Sequence, residues 1–153
     1  VFVNRVVAQQ HALLLLAVAI CLSAGCSDGR PTRVPVAGKV LIDGKPLALG
    51  YIRFIPDGAR ASGGEIGPDG RFVLTCYDGT DGAVIGTHRI EVTACEVINP
   101  NTRRWHVPKK YGKHDTSGLS VEVKEPTDSL VIDLSWDGGA PFIERTGTEP
   151  TLR

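Results

Sequence analysis

The side chains with ligating or nucleophilic chemistry gather in a few stretches. His106 and His114 lie within the run Arg103-Arg104-Trp105-His106-Val107-Pro108-Lys109-Lys110-Tyr111-Gly112-Lys113-His114. The five cations Arg103, Arg104, Lys109, Lys110 and Lys113, interleaved with Trp105 and Tyr111, have the chemistry to hold an anionic polymer, a phospholipid headgroup or an acidic partner. The simpler expectation, and the favoured one, is a solvated loop anchored by Pro108 and Tyr111. The histidines form no HxH or HExxH pattern and the cysteines no CxxC, so no metal site is expected. Asp69, Asp78 and Asp81 sit beside glycines without an EF-hand pattern and read as turn residues. Neither a GxSxG nucleophile motif nor a glycine-rich phosphate loop is present, so no catalytic residue and no cofactor is expected. His88 opens a strand and reads as a packing residue. Cys76 and Cys95 are a possible disulfide. Alternation places Cys76 inward with Phe72 and Leu74, and Cys95 outward with Glu91 and Thr93, so a bridge needs a bulge near Cys95.

Composition bounds what these groups can serve. The chain has 153 residues with 17 basic and 17 acidic side chains, which excludes a basic nucleic-acid packager. Only 6% of residues are aromatic, while 18 Gly and 10 Pro favour strands and turns over long helices. Charge and apolar residues are unevenly spread. Residues 1–25 carry no acid and one base, Arg5, and enclose the apolar run from Ala12 to Leu22. Eleven residues of helix reach ~16 Å, about half the hydrocarbon core of a bilayer, so the run reads as a secretory signal and not as a spanning helix. Leu22-Ser23-Ala24-Gly25-Cys26 resembles the lipobox of bacterial lipoproteins. The resemblance implies cleavage after Gly25 and a diacylglycerol on Cys26. The alternative is ordinary signal cleavage that leaves Cys26 free. Residues 26–33 then form a lipidated Cys with a flexible tether, 34–136 the domain, and 137–153 a loose C-terminal tail.

The elements that must position these side chains are strands. Val36, Gly38 and Val40 share a face, as do Ile52 and Phe54, Phe72 and Leu74, Ile90 and Val92, Val121 and Val123, and Leu130, Ile132 and Leu134. With a short strand near Glu65-Ile66, this makes about seven strands. Asp43-Gly44-Lys45-Pro46 and Pro68-Asp69-Gly70 are turns between them. Strands with one apolar face each require a second sheet to cover that face, so the expected class is an all-β sandwich.

Several of these motifs together resemble carboxypeptidase-regulatory-like domains. They are Val36-x-Gly38-x-Val40, Asp43-Gly44-Lys45-Pro46-Leu47, Ile52-x-Phe54-x-Pro56, Pro68-Asp69-Gly70-Arg71-Phe72-x-Leu74 and Gly86-x-His88-x-Ile90-x-Val92. Small bacterial lipoproteins that carry one such domain also show Asp81-Gly82-Ala83, Val107-Pro108-Lys109-Lys110-Tyr111 and Thr116-Ser117-Gly118-Leu119. The resemblance implies a transthyretin-like Greek-key sandwich over residues 34–134, without catalysis. It implies an exported, monomeric domain held in an envelope membrane by lipid on Cys26 and facing the periplasm or exterior. Envelope proteins or polysaccharide are its expected partners, and nucleic acid is not. Two other readings stay open. Intradiol ring-cleaving dioxygenases share a related sandwich, and Tyr77, Tyr111, His106 and His114 supply their residue types without their HxH spacing. An exposed sheet edge also permits carbohydrate or peptide binding.

Overall fold

Val, Ile and Phe at alternate positions favour extended backbone and put their bulk on one side of it. The computed structural model describes residues 29–146. The chain divides after Arg30, and every element below belongs to the unit that begins at Pro31. One antiparallel sheet has the order β11-β8-β4-β5, made of β4 (Gly50–Pro56), β5 (Ser62–Ile66), β8 (Gly86–Thr93) and β11 (Ser120–Val123). The second is centred on β2 (Val36–Ile42). One side of β2 carries β12 (Thr127–Leu134) in parallel. Antiparallel to it run β3 (Lys45–Pro46) and β6 (Arg71–Val73), paired to different halves of β2. Each of the six alternating stretches, and the short strand expected near Glu65-Ile66, contributes to one of β2, β4, β5, β6, β8, β11 or β12.

The inward faces of both sheets form one hydrophobic cluster. Val36 and Val40 of β2, Ile52 and Phe54 of β4, Ile90 and Val92 of β8, and Ile132 and Leu134 of β12 all belong to it. Full burial of each such side chain contributes about 1.5–3 kcal/mol, so this shared face is what holds the sheets together. Gly38 shows how tight the parallel pairing is. A Cβ there would sit 2.2 Å from the Leu130 carbonyl oxygen, where the register shifts between Thr127 and Leu130. At the β2–β3 hairpin, Asp43 and Gly44 take φ of 47° and 75°, the left-handed pair a two-residue hairpin turn requires.

Six further short strands lie outside the expected set. β1 (Arg33–Val34) pairs with β7 (Ala83–Val84). β9 (Cys95–Asn99), β10 (Thr102–Trp105) and β13 (Phe142–Arg145) form a separate three-stranded sheet in the order β13-β10-β9. The segment expected as a loose tail from residue 137 therefore contributes a strand. Residues 142–145 pair one-for-one with 102–105, Trp105 lying opposite Phe142 and Arg103 opposite Glu144. Between β10 and β11 the chain makes a 3-10 turn, Lys109–Gly112, and a single helical turn, α1 (His114–Ser117). Gly118, at φ 67°, ends α1.

Candidate functional site

The basic run Arg103–His114 crosses β10, the 3-10 turn and the start of α1, and its fixed points are apolar. Val107 is fully buried, and Tyr111 is buried with its hydroxyl donating to the Ser135 carbonyl at 3.2 Å and accepting the Ser135 N–H at 3.1 Å. The cations stand outside this anchor and are mostly neutralised by the protein itself. Arg104 pairs with Glu96 at 3.2 Å. Lys109 pairs with Glu144, which also accepts the Trp105 indole N–H at 2.8 Å. Lys110 pairs with Asp137. The Lys109 hydrogen bond and the Trp105 indole N–H hold the Glu144 carboxyl below the usual range, and Lys110 does the same for Asp137. Arg103 lies opposite Glu144 on the neighbouring strand. Lys113 is exposed and has no ion pair among the described residues. Three of the five cations are thus paired with carboxylates of the protein itself.

The two histidines of this run go to different carboxylates. His106 Nε2 is 3.4 Å from Glu96. His114 Nδ1 is 3.0 Å from Glu91, whose other oxygen takes Arg53 at 3.0 Å, and His114 Nε2 is 3.0 Å from Asp115. Burial acts to raise the Glu91 pKa. The His114 side-chain and backbone bonds and the Arg53 charge outweigh it, and the net position is lowered. Tyr77 lies under two guanidiniums, with Arg33 at 4.8 Å and Arg60 at 5.0 Å from its ring centre. The four side chains of the iron-site comparison, Tyr77, Tyr111, His106 and His114, therefore have four separate sets of partners.

The remaining expected groups are structural in their contacts. His88 is fully buried against Phe54, with Nε2 2.7 Å from the Val84 carbonyl. Asp81 accepts the backbone N–H groups of Cys76 at 2.7 Å and Tyr77 at 3.1 Å, and binds Arg33 at 2.9 Å. Asp69 accepts the Arg71 N–H at 3.1 Å within its turn. Cys76 and Cys95 are both free thiols, so the possible disulfide is not formed. Cys76 is buried, its Sγ donating to the Arg60 carbonyl at 3.6 Å, and burial together with the Asp81 charge pushes its pKa up. Cys95 instead opens β9 opposite Trp105. Cys26 lies outside the described residues.

Beside the basic run is a concave surface that the sequence did not point to. Two Asp-Gly turns, Asp43-Gly44 and Asp137-Gly138, all four residues at positive φ, flank Trp136. Asp43 Oδ1 accepts the Trp136 backbone N–H at 3.3 Å. Phe142 stacks on Trp105 at 6.4 Å and meets Trp136 edge-on at 6.4 Å. The groove in front of Trp136 has a volume of about 450 Å³ and is lined by Asp43, Lys45, Leu47, His106, Trp136 and Pro141 among others.

No family model, no curated protein and no solved structure matches this chain.

Asp137, Phe142 and Glu144 escaped the sequence reading because they fall in the stretch taken as a tail. Two signals were there. Asp137-Gly138 repeats the Asp-Gly turn of Asp43-Gly44, and Phe142-Ile143 is a β-favouring pair bounded by Pro141.

Proposed function

We infer that the chain is a lipid-anchored, extracytoplasmic β-sandwich that acts at the cell envelope as a non-catalytic binding or structural module. The observation that carries this is the order of its parts: an apolar run, then Ala24-Gly25-Cys26, then a short polar stretch leading into β1 at Arg33. The seven residues from Ser27 to Arg33 reach at most ~25 Å, which would keep the sandwich close to the membrane surface. Arg33 is a firm end for such a tether, because Asp81 binds it and Tyr77 lies beneath it. The strand path supports the Greek-key, transthyretin-like form of the sandwich. Of the seven principal strands, only β4–β5 and β8–β11 are consecutive neighbours within one sheet, and every other connection changes sheet. The first and last of the seven, β2 and β12, pair in parallel, which no hairpin can produce.

The test is the fate of Cys26. In a bacterial host the wild-type chain should partition with membranes, and its N-terminal peptide should carry the mass of a diacylglyceryl-cysteine. Cys26→Ala should move the protein to the soluble exported fraction at unchanged thermal stability. Membrane retention of Cys26→Ala, or an unmodified cysteine peptide from the wild type, overturns the anchor.

A further inference from the structure

We propose that the groove in front of Trp136 binds a neutral oligosaccharide, one pyranose ring lying on the indole and its hydroxyls bonded by Asp43, Lys45 and His106. This deepens the reading of the chain as a binding module by naming a ligand class, and it rests on that reading. The first support is the polar fringe. Asp43 Oδ1 takes the Trp136 N–H, and Oδ2 makes no hydrogen bond among the described residues. Lys45 is exposed and forms no ion pair among the described residues, and the Trp136 indole N–H makes no hydrogen bond to them. The lining thus holds an acceptor, Asp43, beside donors, Lys45 and Trp136, with one carboxylate and one ammonium. An ionic ligand would meet an opposing charge as readily as a favourable one. A ligand of vicinal hydroxyls, each both donor and acceptor, can satisfy the carboxylate and the N–H donors alike.

The second support is rigidity. Trp136 is half-buried, follows the core strand β12, and has its backbone N–H on the Asp43 carboxylate and its indole in edge-on contact with Phe142. The Asp137 turn beyond it is closed by the Gly139 N–H to the Trp136 carbonyl at 3.0 Å and clamped by Lys110. An aromatic platform already held in place binds without the entropy cost of ordering it. The size also fits, since about 450 Å³ lies within the usual 300–1,000 Å³ of small-molecule sites. A peptide strand is disfavoured here. The strand beside the groove is the two-residue β3, and its Pro46 has no N–H to offer a ladder.

The experiment uses the full chain carrying Trp105→Phe, which leaves Trp136 as the only indole. Cellotriose, maltotriose and triacetylchitotriose are titrated to about 10 mM, ten times a millimolar Kd, by fluorescence and calorimetry. At least one should shift the Trp136 emission and release heat. Trp136→Ala, made in the unmodified chain and read by calorimetry, should weaken that binding at least ~10-fold, as loss of a central aromatic contact does. Lys45→Ala, at an exposed position, should weaken it several-fold without changing Tm, which keeps the test sound if Trp136→Ala unfolds. No heat and no emission change with any of the three sugars overturns the proposal, as does binding indifferent to Lys45→Ala. Tighter binding of a sulfated trisaccharide than of its neutral parent also overturns it, because the groove would then be selecting charge. Silence of the sugars alongside Cys26-dependent membrane retention removes the groove assignment alone.

Discussion

Asp81 ties together two parts of the chain that lie far apart in sequence. It ties the loop after β6 to itself through the Cys76 and Tyr77 amides, and to β1 through Arg33. Burial acts against its charge. The amides of Cys76, Tyr77 and Asp78 and the Arg33 guanidinium act for it, and together they hold its pKa below the usual carboxylate range. A carboxyl with a lowered folded-state pKa stabilises the fold fully above its unfolded value, and that stabilisation is lost as pH falls through the folded value. Asp81→Asn should therefore cost about 1–3 kcal/mol near pH 7, where charged hydrogen bonds are lost. The gap to wild type should narrow as pH is lowered below the usual carboxylate range, because the stabilisation from the charge is lost as pH falls through the lowered folded-state value. Thermal melts across that range test this, and a gap that stays constant with pH would rule out the charge as the source. The sequence showed that Asp81 precedes a glycine and belongs to a turn. Its partners were not legible, because Arg33 is remote in the chain and only the β1–β7 pairing brings it near.

At the scale of elements, strands with a committed apolar face were legible and strands that borrow order from a neighbour were not. β4 and β8 alternate buried and exposed residues along their length, as their sequence does. β13 has no buried residue, so nothing in its own pattern commits it to a face. It exists because β10 offers a partner and Trp105 offers Phe142 a surface. That late strand also changes the meaning of the basic run. Read alone, Arg103–Lys113 is a cationic patch; in the fold, Glu144 and the Asp137 turn neutralise Lys109 and Lys110. The double variant Asp137→Asn/Glu144→Gln should therefore raise the affinity of this face for anions. On immobilised heparin the wild type should elute at low salt and the variant later, with a retention that falls steeply as salt rises. Equal elution of the two proteins would mean that the patch is not masked by these carboxylates.

For the whole molecule, the question is whether one apolar cluster suffices to hold the domain without a covalent link. Export to an oxidising compartment permits a disulfide, and the chain keeps two cysteines in the domain. The fold sends them apart. Cys76 follows β6 into the interior and settles against the Arg60 carbonyl, while Cys95 starts the separate sheet opposite Trp105. The sequence placed them on opposite faces, and this was legible because a period of two fixes the side of each residue. A bridge across a loop of this length would contribute about 3 kcal/mol by restricting the unfolded chain. In a domain of this size that corresponds to a difference of roughly 10 °C in Tm. With both domain thiols free, Tm should be the same with and without reductant, and Cys76 and Cys95 should each react with an alkylating agent in denaturant without prior reduction. The buried Cys76, whose thiol is also held protonated by burial and by Asp81, should react far more slowly than Cys95 in the folded protein. A reductant-dependent fall in Tm of the size above would show that the sandwich depends on a covalent tie. Its absence assigns the stability to the cluster shared by the two sheets, and with it the rigidity that holds Trp136 and the groove at the end of β12.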